Sequence, residues 1–154
     1  MIQNTARPGP VATRILAATD GSESAGRAVE RAAELGKALG AELVIVTVGP
    51  DRLSAAEASE AARDGIAEGD LLERFAREIL LDASKRARER GVPGARTLHA
   101  VGDPAQVLLD RARREQPGTV VVGRRGRGRL AGLLLGSVSQ KLVSLAPCAV
   151  VVVP

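Results

Sequence analysis

Aromatic side chains are almost missing from this sequence: Phe75 stands alone, with no tryptophan and no tyrosine among 154 residues. Proteins that read single-stranded nucleic acid usually stack bases on aromatic rings, so that platform is absent. Cysteine is reduced to Cys148 and histidine to His99. A lone cysteine cannot form an internal disulfide, which fits a reducing, cytoplasmic setting. Cys148 lies in the apolar stretch APCAVVVVP and reads as a buried, unreactive thiol. His99 has no Cys or His neighbour at metal-ligand spacing and reads as structural. A zinc site and a Cys–His nucleophile are therefore not expected; we assign no catalytic residue and no metal ligand. Long hydrophobic runs are missing too. The longest, Leu145 to Val153, is interrupted by Pro147 and falls far short of the roughly 20 residues of a membrane span. The N-terminus is polar with Pro and Gly and shows no secretory core; residues 1–12 are expected to be a loose tail.

What is present is a 45% hydrophobic, 26% charged chain with a net charge of +4. These figures suit a single globular domain over residues 13–154. The basic balance, mostly arginine, favours anionic partners.

The apolar segments alternate between two periods. Ile15 to Ala18 reads as a short buried strand ending in the turn residues Thr19, Asp20, Gly21 and Ser22. From Ala25, apolar residues recur at helical spacing (Ala25, Ala28, Val29, Ala32, Leu35, Leu39) until Gly40, with Ser22 or Ser24 as cap. Leu43 to Val48 is a second strand with no polar face, as in a parallel sheet covered on both sides. Residues 50–70 are rich in Ala, Glu, Ser and Gly, and read as a soft insertion or a weak helix. Leu71, Leu72, Phe75, Ile79, Ala83 and Ala87 form one helical stripe, closed by Gly91. A strand follows at Arg96 to Val101. Asp103 and Pro104 then open a helix as N-cap and first residue, with Val107, Leu108 and Ala112 facing inward. GTVVVG is the fourth strand, GSVSQKLVSLA a short helix with Val138, Leu142 and Leu145 on one side, and CAVVVVP the fifth strand. Strands alternating with helices predict a parallel sheet under helices on both faces.

Ligands of open α/β sheets sit beyond the carboxyl ends of the strands, where the strand order reverses. Three segments would rim such a cleft: Thr19-Asp20-Gly21, Val48-Gly49, and the loop from Gly123. In GRRGRGRLAGLLLGSVS, Gly123 and Gly126 allow close backbone approach to a ligand. Bare N–H groups in such turns cradle anions. Gly136 and Ser137 open a helix whose N-terminus attracts phosphate, with the Ser139 hydroxyl near and Arg125 and Arg127 adding charge. This composition suits a polyphosphate, and Asp20 is placed to accept from a ribose or a base edge. The plainer readings are that the glycines are turn residues, that Asp20 and Ser139 serve only the helices, and that the arginines at 124, 125, 127 and 129 solvate a loop. Leu130 to Leu135 reads as a packed loop or a lid.

The spacing Gly123-x2-Gly126-x9-Gly136-Ser137 resembles the G-2x-G-9x-G-S/T motif of the ATP-binding class of universal stress proteins. ILAATDGSESAGRAVERAAELG, GDPAQVLLDRA and LLLGSVSQKLVSLAPCAVVVV are similar to that family's opening strand and helix, its later helix entry and its carboxyl end. The resemblance spans roughly Arg14 to Val153. It implies a Rossmann-like, open five-stranded parallel sheet of order 3-2-1-4-5, with ATP between strands 1 and 4, with or without magnesium. It implies that Asp20 holds the ribose and adenine side and Val48 walls the adenine. It places Val122, Gly123, Arg125, Gly126, Gly136, Ser137 and Val138 around ribose and phosphates. It also implies a homodimer through the last strand, Cys148 to Val153, covering an apolar sheet edge. Arg124, where a small hydroxyl residue is common, and Ala149, where proline is common, depart from the pattern.

Three functions compete. A nucleotide-dependent stress-response or regulatory protein is the leading one. A weak ATPase or adenylyl-transfer enzyme is the alternative, although the loop has no Gly-Lys-Ser/Thr and no carboxylate. Nucleic-acid binding through RRGRGR lacks aromatics and a helix-turn-helix pattern.

Overall fold

The computed structural model describes residues 14–126 and 134–154; the expected tail, Arg127, Arg129 and residues 130–133 lie outside them. Among the described residues ten elements follow one another: β1 (Arg14–Ala18), α1 (Glu23–Leu39), β2 (Glu42–Gly49), α2 (Ala55–Arg63), α3 (Glu68–Glu89), β3 (Arg96–Val101), α4 (Pro104–Glu115), β4 (Thr119–Gly123), α5 (Ser137–Leu145) and β5 (Ala149–Val153). The five strands form one sheet of order β3-β2-β1-β4-β5, parallel at every pairing. This is the expected topology. Between β1 and β4 the order reverses, which opens a crevice at their carboxyl ends.

Strand alternation divides the core into two layers. Ile15, Ala17, Leu43 and Ile45 face one side and meet Ala28, Ala32, Ala83 and Ala87 of α1 and α3. Leu16, Val44, Val46, Val120 and Val122 face the other and meet Leu108, Leu109 and Ala112 of α4 and Leu142 of α5. The alanines on α1 and α3 let those helices lie close on the sheet. Burying each large aliphatic side chain contributes roughly 1.5–3 kcal/mol.

Helix ends follow their local chemistry. Ser22 caps α1 by accepting from the Ala25 N–H, and Gly40 closes it at φ 61°. Asp103 caps α4 by accepting from the Gln106 N–H. Within residues 50–70, read as a soft insertion or a weak helix, the structure forms helix. Ser54 and Glu57 form a reciprocal capping box that starts α2, and α3 begins at Glu68, ahead of Leu71.

Three apolar expectations are corrected. Leu39 is 51% exposed and Leu145 57%, because each is the last residue of its helix and reaches past the core. On α4 the inner face runs through Ala105, Leu108, Leu109 and Ala112, with Val107 only half-buried. No helix among the described residues is long and apolar enough to cross a membrane.

Candidate functional site

At the carboxyl end of β1 the chain turns sharply. The Thr19 N–H donates to the Val46 carbonyl at 2.9 Å, continuing the ladder to β2. The Thr19 hydroxyl accepts from the Gly21 N–H at 3.2 Å, and the Asp20 carboxylate accepts from the Ser22 N–H at 3.0 Å. Gly21 adopts φ 79°, a conformation that favours glycine. Two side chains that could merely decorate the turn therefore shape it, and Asp20 is held at the mouth of the crevice.

The loop after β4 lies against this turn, and its glycines are the reason it can. A Cβ on Gly126 would stand 2.5 Å from the Asp20 Oδ2. On Gly123 it would meet the Ser24 Oγ at 2.7 Å and the α1 backbone at 2.9 Å. On Gly136 it would press on the Arg124 carbonyl oxygen at 3.3 Å. None of the three has positive φ, so close approach, rather than backbone conformation, calls for glycine here.

Hydrogen bonds tie the same parts together. The Arg124 N–H donates to the Val153 carbonyl at 2.6 Å, and the Gly136 N–H donates to the Arg124 carbonyl at 2.8 Å. Ser139 is 2% exposed; its hydroxyl donates within reach of two carbonyls, Arg124 at 3.0 Å and Gly136 at 2.9 Å. The Ser24 hydroxyl donates to the Val153 carbonyl at 3.1 Å. Thus α1, the β4 loop, α5 and the end of β5 are locked into one rim.

The start of α5 differs chemically from the other helix starts. Gly136 is its N-cap, no side chain caps it, and its first turn carries no acidic residue. Helices α1, α2 and α4 are capped by Ser22, Ser54 and Asp103. Helix α3 also lacks a side-chain cap, but Glu68 and Asp70 fill its first turn. Open N–H groups and a positive helix end thus remain at α5.

Two adjoining cavities occupy the crevice. The larger, about 430 Å³, is lined by Asp20, Val48, Arg125, Gly126, Gly136, Ser137 and Val138 of the expected set. The smaller, about 120 Å³, shares several of these and adds Thr19, Val122, Gly123 and Ser139. Gly21 lines neither but borders a shallow pocket beside Glu57 and Phe75. The expected Arg127 contact lies outside the described residues.

Other residues of the site were not anticipated. Thr47, Leu53, Leu72, Phe75, Ile79 and His99 also line the larger cavity. His99, expected to be structural, is exposed at its wall. The signal for it was weak, since only the pairing of Thr47 with His99 across β2 and β3 brings it there. Cys148 is unpaired and partly buried. Burial pushes its thiol above the usual range, outweighing a backbone hydrogen bond with Val120 that acts the other way. Among the described residues no group of three or more His, Cys, Asp or Glu could hold a metal ion.

A family model described as the universal stress protein family matches residues 12–154. The chain belongs to the universal stress protein family. It is 34% identical over 156 residues to universal stress protein YxiE of Bacillus subtilis (strain 168), covering 91% of this chain and 97% of that one. Among solved structures, a universal stress protein in complex with cAMP superposes with a TM-score of 0.71 at 29% identity, covering 94% of this chain and 98% of the other. UspA from Lactobacillus plantarum superposes with a TM-score of 0.76 at 22% identity, over 93% and 98% of the two chains; that likeness speaks for the fold.

Proposed function

We propose that this universal stress protein binds an adenine nucleotide, ATP in the first instance, in the crevice between β1 and β4, and works as a nucleotide-dependent regulatory protein of the cytoplasm. The observation that carries the reading is the start of α5. An uncapped helix N-terminus without first-turn acids opens on a 430 Å³ cavity beside Ser137, Arg125 and Gly126. Phosphate is stabilised by such N–H groups and by the helix dipole, and Arg125 adds a full charge. Asp20, fixed by the Ser22 N–H, accepts from the ribose hydroxyls, and Val48 walls the base. Thr19, Gly21, Val122, Gly123 and Ser139 set the shape of the rim. The similar protein solved with cAMP supports an adenine nucleotide as the ligand class.

The chain's two sheet edges differ in a way that supports a homodimer through β5. The β3 edge carries Arg96, Thr97 and His99, polar groups that discourage pairing. The β5 edge is AVVVV, beside exposed Val143 and Leu145 on α5. Sedimentation equilibrium reads this directly: a dimer is expected, and a monomer at all concentrations contradicts it.

Calorimetric titration with ATP, AMP and cAMP, with and without magnesium, tests the ligand. One-to-one saturable binding is expected, weakened at least roughly tenfold in Gly126→Val, where the new side chain displaces Asp20. No heat from protein freed of carried-over nucleotide refutes the reading.

A further inference from the structure

The larger cavity runs beyond the crevice into a compartment between α3 and the sheet. Alternation along β2 puts Thr47 and Gly49 on the α1–α3 side, where Leu43 and Ile45 lie. Thr47 pairs with His99 on β3, so the imidazole stands on that same side. Phe75, Ala76 and Ile79 of α3 form the opposite wall.

The side chains here are not ordinary core. Ala76, Ala83 and Ala87 of α3 are buried, whereas Phe75 is 38% exposed and lines the cavity. The chain's one aromatic residue and its one histidine thus meet across one space. Gly49 supports the same conclusion. Its φ is not positive, so the backbone does not call for glycine. A Cβ there would meet one atom within 4 Å, the His99 Nε2 at 3.2 Å. Glycine at this position leaves the imidazole its room and the floor flat.

We propose that this compartment receives the purine base of the nucleotide, with Phe75 against a face of the base and His99 at its edge, and that these two residues set base selectivity. The inference rests on nucleotide binding at the crevice. A purine is flat, apolar on its faces and polar at its rim, and the compartment offers an aromatic wall, aliphatic neighbours and one side chain that donates or accepts. A pyrimidine reaches less far between Phe75 and His99 and binds more weakly. Ribose 5-phosphate engages only the loop and α5.

The composition makes the test clean. A ¹³C-edited proton spectrum of the whole protein contains one phenyl ring and one imidazole. Titration with AMP, calorimetry in parallel, is expected to shift both sets of signals along the calorimetric binding curve. Ribose 5-phosphate leaves them in place. Phe75→Leu and His99→Ala, each shown folded by thermal unfolding, each weaken AMP roughly 5- to 10-fold without weakening ribose 5-phosphate, and narrow the preference for AMP over UMP. Calorimetric binding of AMP with Phe75 and His99 signals unmoved overturns the compartment as the base site and leaves the nucleotide site standing. Absence of binding by both AMP and ATP overturns both.

Discussion

The two ends of the sheet handle polar groups in opposite ways. At the amino ends of the strands, charge is paired with charge. Arg14 meets Glu42 at 2.8 Å and Glu115 at 3.6 Å, Arg96 meets Glu42 at 3.6 Å and Glu115 at 3.0 Å, and Arg111 meets Glu115 at 2.8 Å. The network closes that end. At the carboxyl ends, Gly123 and Gly136 bring backbone against backbone, Gly126 lies against the Asp20 carboxylate, Ser139 and Ser24 hold carbonyls, and α5 begins without a side-chain cap. That end stays open as a cavity. The difference bears on function: an end that serves only stability can neutralise itself, while an end proposed to bind an anion keeps donors directed outward.

The contrast yields graded expectations. The largest effect is expected from Gly123→Val. A side chain there collides with the backbone of α1, and overpacking of this kind costs about 1–3 kcal/mol. Differential scanning calorimetry should show Tm lower by roughly 3–10 °C, with nucleotide affinity lost as well. Wild-type Tm would show that the rim is looser than described.

Ser139→Ala comes next. It deletes a buried donor to the Arg124 and Gly136 carbonyls, at about 1 kcal/mol, and loosens the loop against α5. Affinity for ATP should fall several-fold by calorimetry. Unchanged affinity would mean that the loop holds its place without this hydroxyl.

Glu115→Gln sharpens the comparison from the other end. It weakens contacts to three arginines in a partly exposed network, at about 0.5–1 kcal/mol, an effect that salt should diminish. Tm should drop by a few degrees while nucleotide affinity stays unchanged. A loss of affinity would erase the division between the ends.

The smallest effect concerns Cys148, which precedes β5 at the amino end. Burial raises its pKa, so the thiolate forms only at higher pH than in a free cysteine. Iodoacetamide labelling near pH 8 should be slower than for free cysteine, should accelerate as pH rises, and should not respond to nucleotide.

How far the sequence foretold this molecule depends on the range of the cause. Local chemistry was readable: β-branched runs became the strands, and Asp103-Pro104, Ser22 and Gly40 marked helix ends as expected. The parallel sheet followed from the alternation of elements, and its strand order from the family resemblance. Helix α2 was understated because its residues are mostly alanine and glutamate, although Ser54 and Glu57 at capping-box spacing do signal it. Among candidate site residues, the glycine frame was legible as a set. Its reason was not, since the neighbours of Gly123 and Gly126 come from the β1 turn and α1. The wall of Phe75 and His99 could not be read at all, because it arises where a helix crosses a strand pair and neither residue has a local signature of binding.

The carboxyl-end crevice, with α5 at its phosphate end, is the proposed adenine-nucleotide site. Mapping backbone amide shifts of the ¹⁵N-labelled protein on addition of ATP tests it most directly. The largest shifts are expected at Gly123 to Gly126 and Gly136 to Ser139, with Asp20 and Val48 next and Arg14, Glu42 and Arg96 still. Shifts centred on the amino-end arginines, or none at saturating ATP, would contradict it.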